Sequence, residues 1–117
     1  MTEAHLEEIV HKYSDIVERI ERLEISEEDQ VEKLKAKIVL FDGTYLWVRE
    51  IWIKDTLEAY SYYWLRPDDT IMMGWDNAPH RQEINSFPHH RHVGRKIEVS
   101  EETDLGTVLS FIRDFLR

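Results

Sequence analysis

Hydrophobic residues near the start of the chain recur at the spacing of an amphipathic helix. They lie one, three or four positions apart: Leu6, Ile9, Val10, Tyr13, Ile16, Val17, Ile20 and Leu23. This spacing puts them on one side of a helix and leaves charged residues on the other. We therefore predict a helix from about residue 2 to about residue 24. Its charged face is either solvated or docked on a basic partner.

The pattern then changes to that of β-strands. Four runs rich in β-branched and aromatic residues follow one another at residues 31–41, 44–53, 57–65 and 71–75. The first two flank Asp42-Gly43, a dipeptide typical of tight hairpin turns. Turn residues also separate the third run from the fourth. Together the four runs predict an antiparallel β-meander.

The last third of the chain is irregular at first and helical at its end. Residues 76–92 contain two prolines, and a loop of this length in a compact domain is usually functional. Residues 95–99 predict a last short strand, and Ser100 or Thr103 can cap a closing helix. Its apolar residues are Leu105, Val108, Leu109, Ile112, Phe115 and Leu116.

This order of elements indicates the α+β class. We predict an antiparallel β-meander of four to five strands packed against N-terminal and C-terminal helices, in a single domain covering residues 1–117.

Composition excludes several classes of protein. The 117 residues include 24 acidic and 15 basic side chains, for a net charge of −9, and no cysteine. Disulfide scaffolds, thiolate zinc sites and cysteine nucleophiles are therefore excluded. The sequence shows neither a membrane-spanning run nor a signal peptide, so we expect a cytoplasmic protein without membrane association. Low Asn and Gln content resembles that of proteins from thermophiles.

The negative charge is unevenly distributed. Residues 1–30 hold ten acidic and three basic side chains, whereas residues 80–96 hold four basic side chains, one acidic side chain and four histidines. A net negative field argues against nonspecific binding of duplex DNA. It does not exclude a small, locally positive pocket.

The histidines suggest acid–base chemistry on a phosphodiester. Four of them fall within thirteen positions: His80, His89, His90 and His92. Two histidines can deprotonate a ribose 2′-hydroxyl and protonate the leaving oxygen. Asp76 would fix the tautomer of one imidazole, and Arg91 or Arg81 would stabilise the charged transition state. This chemistry needs no metal.

Two other interpretations remain open at this point. His90 and His92 could share a metal ion with His80 or Asp76. Alternatively, the histidines could be structural, held by side-chain-to-backbone hydrogen bonds in the loop.

The aromatic residues of the strands occupy both alternating sets, so some face away from the helices. Exposed aromatics can stack nucleobases or be buried by a protein partner. The acidic composition favours the protein partner.

One segment resembles a known family. Residues 75–80 (WDNAPH) and 87–93 (FPHHRHV), behind the aromatic strand 60–64 (YSYYW), are similar to the signature of the TumE family. These small prokaryotic proteins are assigned as toxins of type II toxin–antitoxin pairs. Relatives usually have a second histidine where Arg81 stands and a lysine where Arg91 stands. The first difference removes an imidazole, and the second keeps the charge.

The resemblance implies a toxin with a helix-turn-helix antitoxin as its partner. With the histidine-dense segment, it leads us to predict a metal-independent endoribonuclease without a cofactor, whose substrate is RNA. The predicted site residues are His80, His89, His90, His92, Asp76 and Arg91. The alternative is a noncatalytic protein-binding module with a structural histidine loop, which binds the antitoxin or forms a homodimer.

Overall fold

The described strands form one antiparallel sheet in chain order. The computed structural model describes residues 2–77, 89–93, 96–99 and 102–117, with only the backbone at residues 2, 90 and 96–99. The elements are α1 (Thr2–Lys12), β1 (Val17–Glu28), β2 (Val31–Leu40), β3 (Tyr45–Ile53), β4 (Thr56–Leu65), β5 (Ile71–Asp76), β6 (His90–Val93), β7 (Lys96–Val99) and α2 (Leu105–Leu116). The α+β class and the meander are confirmed. The strand number is wrong, because the described residues form seven strands rather than four or five.

The predicted N-terminal helix is only half helical. Helix α1 ends at Lys12, and residues 17–24 belong to β1, which pairs with β2. Val17, Ile20 and Leu23 are three residues apart, yet their partners on β2 are only two apart, because two register irregularities each add a residue to β1. Bulges therefore give this strand the three-residue spacing that usually indicates a helix.

The hairpin at Asp42-Gly43 is confirmed. The Leu40 backbone N–H donates to the Thr44 carbonyl, and Gly43 has a φ of 91°. Residues 41–43 form the turn, and glycine adopts its left-handed conformation without the steric penalty of a Cβ atom.

The predicted irregular segment is partly a strand. Residues 90–92 belong to β6, which pairs with both β5 and β7, whereas residues 78–88 lie outside the described part.

The closing helix α2 is confirmed, but its N-cap is Asp104 rather than Thr103. The Asp104 carboxylate accepts a hydrogen bond from the Thr107 backbone N–H at 2.8 Å. Ser100 lies outside the described residues.

Both helices pack on one face of the sheet, which we call the helix-covered face. Leu6 of α1 and four residues of α2 enter a core with the strands, the four being Leu105, Val108, Leu109 and Ile112. Phe111 and Phe115 of α2 make edge-to-face contacts with Trp75 and Trp64. The opposite face, which we call the open face, carries Lys35, Arg49, Ser61 and Tyr63, because directly paired residues point to the same side of a sheet. Neither described helix is long and apolar enough to cross a membrane.

Candidate functional site

The candidate site begins with two tyrosines that are neighbours on β4 but point to opposite faces. Tyr62 is fully buried in the core of the helix-covered face, and Tyr63 is half-buried on the open face. Asp76, the last residue of β5, pairs with Ser61 and so shares the open face with Tyr63. The register of β4 against β5 therefore sets Asp76 within reach of the Tyr63 hydroxyl.

Asp76 is a buried carboxylate that contacts the side chains of Tyr63 and His92. It is only 4% exposed. Its Oδ2 accepts a hydrogen bond from the Tyr63 hydroxyl at 2.8 Å and lies 3.0 Å from Nε2 of His92. Because a carboxylate can only accept hydrogen bonds, Nε2 of His92 carries the proton in this contact. In a neutral imidazole that carries its proton on Nε2, the atom that can accept a proton is Nδ1.

Gly74 allows this arrangement. It pairs with Tyr63 on one side and with His92 on the other. A Cβ atom at position 74 would overlap the Tyr63 ring. The ring lies across β5 at this glycine and contacts the His92 imidazole, with 5.6 Å between ring centroids. The missing side chain thus brings Tyr63, Asp76 and His92 together.

Tyr63 remains a hydrogen-bond donor over a wide range of pH. Burial raises the pKa of its phenol, and the Asp76 carboxylate raises this pKa further as hydrogen-bond acceptor and as a negative charge. The phenol is therefore protonated at neutral pH, so it orients Asp76 without exchanging protons itself.

His89 belongs to a second pair. Its Nδ1 lies 2.9 Å from the Tyr60 hydroxyl, and the two rings stack with centroids 5.9 Å apart. Tyr60 is buried in the core of the helix-covered face, where burial raises its pKa to about 12. Tyr60 and Tyr63 therefore hold His89 and His92 from different faces of β4.

The other predicted site residues are either not fully described or do not lie beside His92. His90 pairs with Asp76 through its backbone, and nothing is described of its side chain. Arg91 is partly buried and pairs with Trp75, so it points to the helix-covered face rather than toward His92. His80 lies outside the described residues, as does Arg81.

Asn77 fixes the chain where it leaves β5. Its side-chain oxygen accepts from the Tyr60 backbone N–H at 2.9 Å, and its side-chain NH₂ group donates to the Glu58 carbonyl at 3.0 Å. Its own backbone N–H donates to the Tyr60 carbonyl. These contacts hold the residue after Asp76 against β4, which limits the freedom of the carboxylate.

Asp76 and Asn77 line the end of a hollow on the open face. The hollow has a volume of about 890 Å³ and extends from β1 to β5. A second hollow of about 540 Å³ lies beside it and is lined in part by Trp47 and Tyr63. The described residues contain no group of three or more side chains arranged to hold a metal ion.

The sequence indicated Asp76 and His92, but it did not reveal Tyr63 or Gly74 as parts of the site. Tyr63 resembles any strand aromatic, and Gly74 is one small residue in a short apolar run. Only the pairing of β4 with β5 shows that the two residues lie directly opposite each other.

The comparison with protein-family models adds one finding. The model described as toxin TumE matches residues 6–117, which is nearly the whole chain. No curated protein and no solved structure matches it. The match includes the segments that predicted the resemblance and the site built from Tyr63, Asp76 and His92. The chain therefore belongs to the TumE family of toxins from toxin–antitoxin systems.

Proposed function

We propose that this toxin is a metal-independent endoribonuclease whose proton-transfer centre is His92 held by Asp76. One observation carries the proposal. A buried carboxylate accepts from both Tyr63 and His92 at the same oxygen, and thereby fixes the imidazole tautomer. The His92 side chain is 17% exposed and that of Asp76 is 6% exposed. The imidazole is thus supported from within the protein while part of it remains accessible to a substrate.

The chemistry is an intramolecular transfer at phosphorus. Nδ1 of His92 takes the proton of a ribose 2′-hydroxyl, and the 2′ oxygen forms a bond to the adjacent phosphorus. The bond from phosphorus to the 5′ oxygen breaks, and that oxygen receives a proton from a second group. The products are a 2′,3′-cyclic phosphate and a 5′-hydroxyl. We assign the second group to His90, whose backbone pairs with Asp76.

The remaining predicted residues have supporting roles in this proposal. His80 and His89 contribute phosphate contacts or proton transfer at the edge of the site, and Arg91 contributes its positive charge from the helix-covered side of β6, without touching the substrate. The partner that controls the activity is an antitoxin, for which we propose the helix-turn-helix type. A homodimer is the second assembly that we propose.

The experiment removes the carboxylate of Asp76 or the imidazole of His92 and measures RNA cleavage. We would express the wild-type protein, Asp76→Asn and His92→Ala in bacteria, and measure growth and RNA integrity. The purified proteins would be assayed on a labelled RNA. General acid–base catalysis contributes about 10²-fold to 10⁴-fold. We therefore expect each variant to cleave at least about 100 times more slowly.

The chain offers matched controls. Glu50 is also buried and accepts from a tyrosine, but its second donor is the Trp52 indole, which does not exchange protons at neutral pH. Glu50→Gln should lower the melting temperature and keep the cleavage rate, and His11→Ala on α1 should change neither. A wild-type protein that leaves growth and RNA intact would overturn the proposal and favour the noncatalytic module. Full activity of folded His92→Ala would also overturn it.

A further inference from the structure

The open face carries a row of basic residues that leads to the candidate site. Along one line across the sheet, Glu24 of β1 pairs with Lys35 of β2, Lys35 with Arg49 of β3, Arg49 with Ser61 of β4, and Ser61 with Asp76 of β5. Neighbouring strands are about 4.8 Å apart, so Lys35 lies roughly 14 Å from Asp76 along this row.

The pair of Lys35 and Arg49 is unfavourable for the sheet itself. Like charges that lie directly opposite each other on neighbouring strands repel and destabilise a sheet. Lys37 of the next row has an ion pair with Glu21 at 2.9 Å. In contrast, none of the described carboxylates forms an ion pair with Lys35 or Arg49. An anion bound between these two cations would remove the repulsion.

Acidic residues lie near this pair, and one of them, Glu24 of β1, pairs directly with Lys35. Glu24 and Glu58 are exposed where they line the larger hollow. Glu50 is turned to the helix-covered face, where it is bonded to Tyr62 and Trp52. The larger hollow therefore has both acidic and basic residues in its lining, whereas the described residues that line the smaller hollow include Arg22, Lys35 and Arg49 and none that is acidic.

Small side chains and aromatic rings complete this surface. Ala59 and Ser61 form part of the floor of the larger hollow, and Trp47 and Tyr63 line the smaller one. Both hollows share Lys35, Arg49 and Ser61, so the two cations stand between them. Trp47 and Tyr63 are only half-buried, and partly exposed rings on a sheet can stack unpaired bases.

We infer that the open face binds single-stranded RNA, with a backbone phosphate held between Lys35 and Arg49 and successive nucleotides in the two hollows. This inference rests on the proposed ribonuclease function and names how its substrate is held. The strand would cross β2, β3 and β4 before it reaches Asp76 and His92. Paired bases cannot stack on Trp47, so a duplex fits this surface poorly.

The test measures RNA binding in a protein that cannot cleave. In a His92→Ala background, Kd for a labelled single-stranded RNA of twelve nucleotides would be measured by fluorescence anisotropy between 50 and 200 mM salt. We expect Lys35→Ala with Arg49→Ala to raise Kd at least tenfold. Each phosphate contact in single strands contributes about 0.7 to the slope of log Kd against log salt, so loss of the one phosphate held between the two cations should lower the slope by about 0.7.

The control removes the same charges from the helix side. Lys12→Ala with Arg117→Ala changes one lysine and one arginine that are exposed there, and we expect less than a twofold change in Kd. A duplex of the same sequence should bind at least ten times more weakly. Equal effects of the two double variants would overturn the phosphate assignment, and equal binding of duplex and single strand would overturn the strand preference.

Cleavage by the same variants in the wild-type background separates this inference from the proposed function. If Lys35 and Arg49 control binding while the wild-type protein cleaves no RNA, the proposed nuclease fails and the binding surface stands. If cleavage proceeds at the wild-type rate without both cations, the binding surface fails and the nuclease stands.

Discussion

Two buried carboxylates on opposite faces of the sheet have nearly the same hydrogen-bond acceptor role. Glu50 on the helix-covered face accepts from the Tyr62 hydroxyl at 2.6 Å and from the Trp52 indole at 3.0 Å. Asp76 on the open face accepts from the Tyr63 hydroxyl and from Nε2 of His92. Each is 4% exposed. They differ in the second donor, because an imidazole can gain and lose a proton near neutral pH whereas an indole cannot.

The comparison shows why burial alone does not identify the site. On the helix-covered face Glu50 and its two donors satisfy one another, and Tyr62 belongs to the core, which is a structural role. On the open face the same arrangement supports a partly exposed histidine beside a hollow. The first two predictions below test the contrast between faces, and the third tests the likeness of the two tyrosine–carboxylate pairs.

The largest expected effect is the loss of a core indole. Trp64 is 2% exposed, donates to the Thr44 hydroxyl at 2.8 Å and contacts Phe115 of α2. We expect Trp64→Ala to lower the free energy of unfolding by about 3–5 kcal/mol. Trp47 is half-buried on the open face beside Tyr45. Trp47 also packs against a small buried cluster of Val39, Tyr45 and Leu65. Trp47→Ala should therefore cost about 1–2 kcal/mol, less than the loss of the core indole. Urea unfolding measures both, and equal losses would mean that this cluster contributes as much to stability as the main core.

The sequence predicted the elements whose signals are local. Asp42-Gly43 identified its hairpin, and the apolar spacing identified α2. It did not predict β1, because the bulges give that strand a helical spacing. The turns at residues 29–30 and 54–55 contain no glycine, although all four residues have positive φ. Such turns carry no clear local signal.

The candidate site was predictable residue by residue but not as an arrangement. Asp76 and His92 were named from the sequence because their chemistry is distinctive.

The pairing of Lys35 with Arg49 could not be predicted in the same way, because it depends on the length of one turn. A two-residue loop at Asp42-Gly43 would have set Lys35 opposite Glu50, and the observed three-residue turn sets it opposite Arg49. A shift of one residue moves every side chain to the other face, so register had to be observed.

The next largest effect concerns Gly74. A methyl group at this position would overlap the Tyr63 ring. Displacing the ring breaks its bond to Asp76 and disturbs His92, which pairs with Gly74. We expect Gly74→Ala to lower the free energy of unfolding by about 1–3 kcal/mol, measured by urea unfolding, and to slow RNA cleavage.

Another glycine serves as the matched control. A Cβ atom at Gly106 of α2 would make only an ordinary contact with Asp104. Gly106→Ala should therefore stabilise the protein by about 0.5–1 kcal/mol, because alanine favours the helix, and leave cleavage unchanged. A Gly74→Ala protein as stable and as active as wild type would contradict the role that we assign to the Tyr63 ring.

The smallest effect is a dependence on alkaline pH that should be the same for both tyrosine–carboxylate pairs. Burial and a neighbouring carboxylate raise the pKa of Tyr62 and of Tyr63 above its ordinary value of 10, and burial raises that of Tyr60 to about 12. A raised pKa in the folded state means that the unfolded chain loses these protons first. The contribution of these tyrosines to stability is therefore complete below pH 10 and falls as pH rises above it, by about 1.4 kcal/mol per pH unit for each such tyrosine.

In urea unfolding between pH 10 and 11.5, Tyr62→Phe and Tyr63→Phe should each reduce the slope of the unfolding free energy against pH by about 1.4 kcal/mol per pH unit, which corresponds to one proton. Only Tyr63→Phe should also slow RNA cleavage at neutral pH. If Tyr63→Phe leaves the alkaline slope unchanged, the two pairs are not equivalent, and the phenol on the open face is less firmly held by Asp76 than the phenol on the helix-covered face is by Glu50.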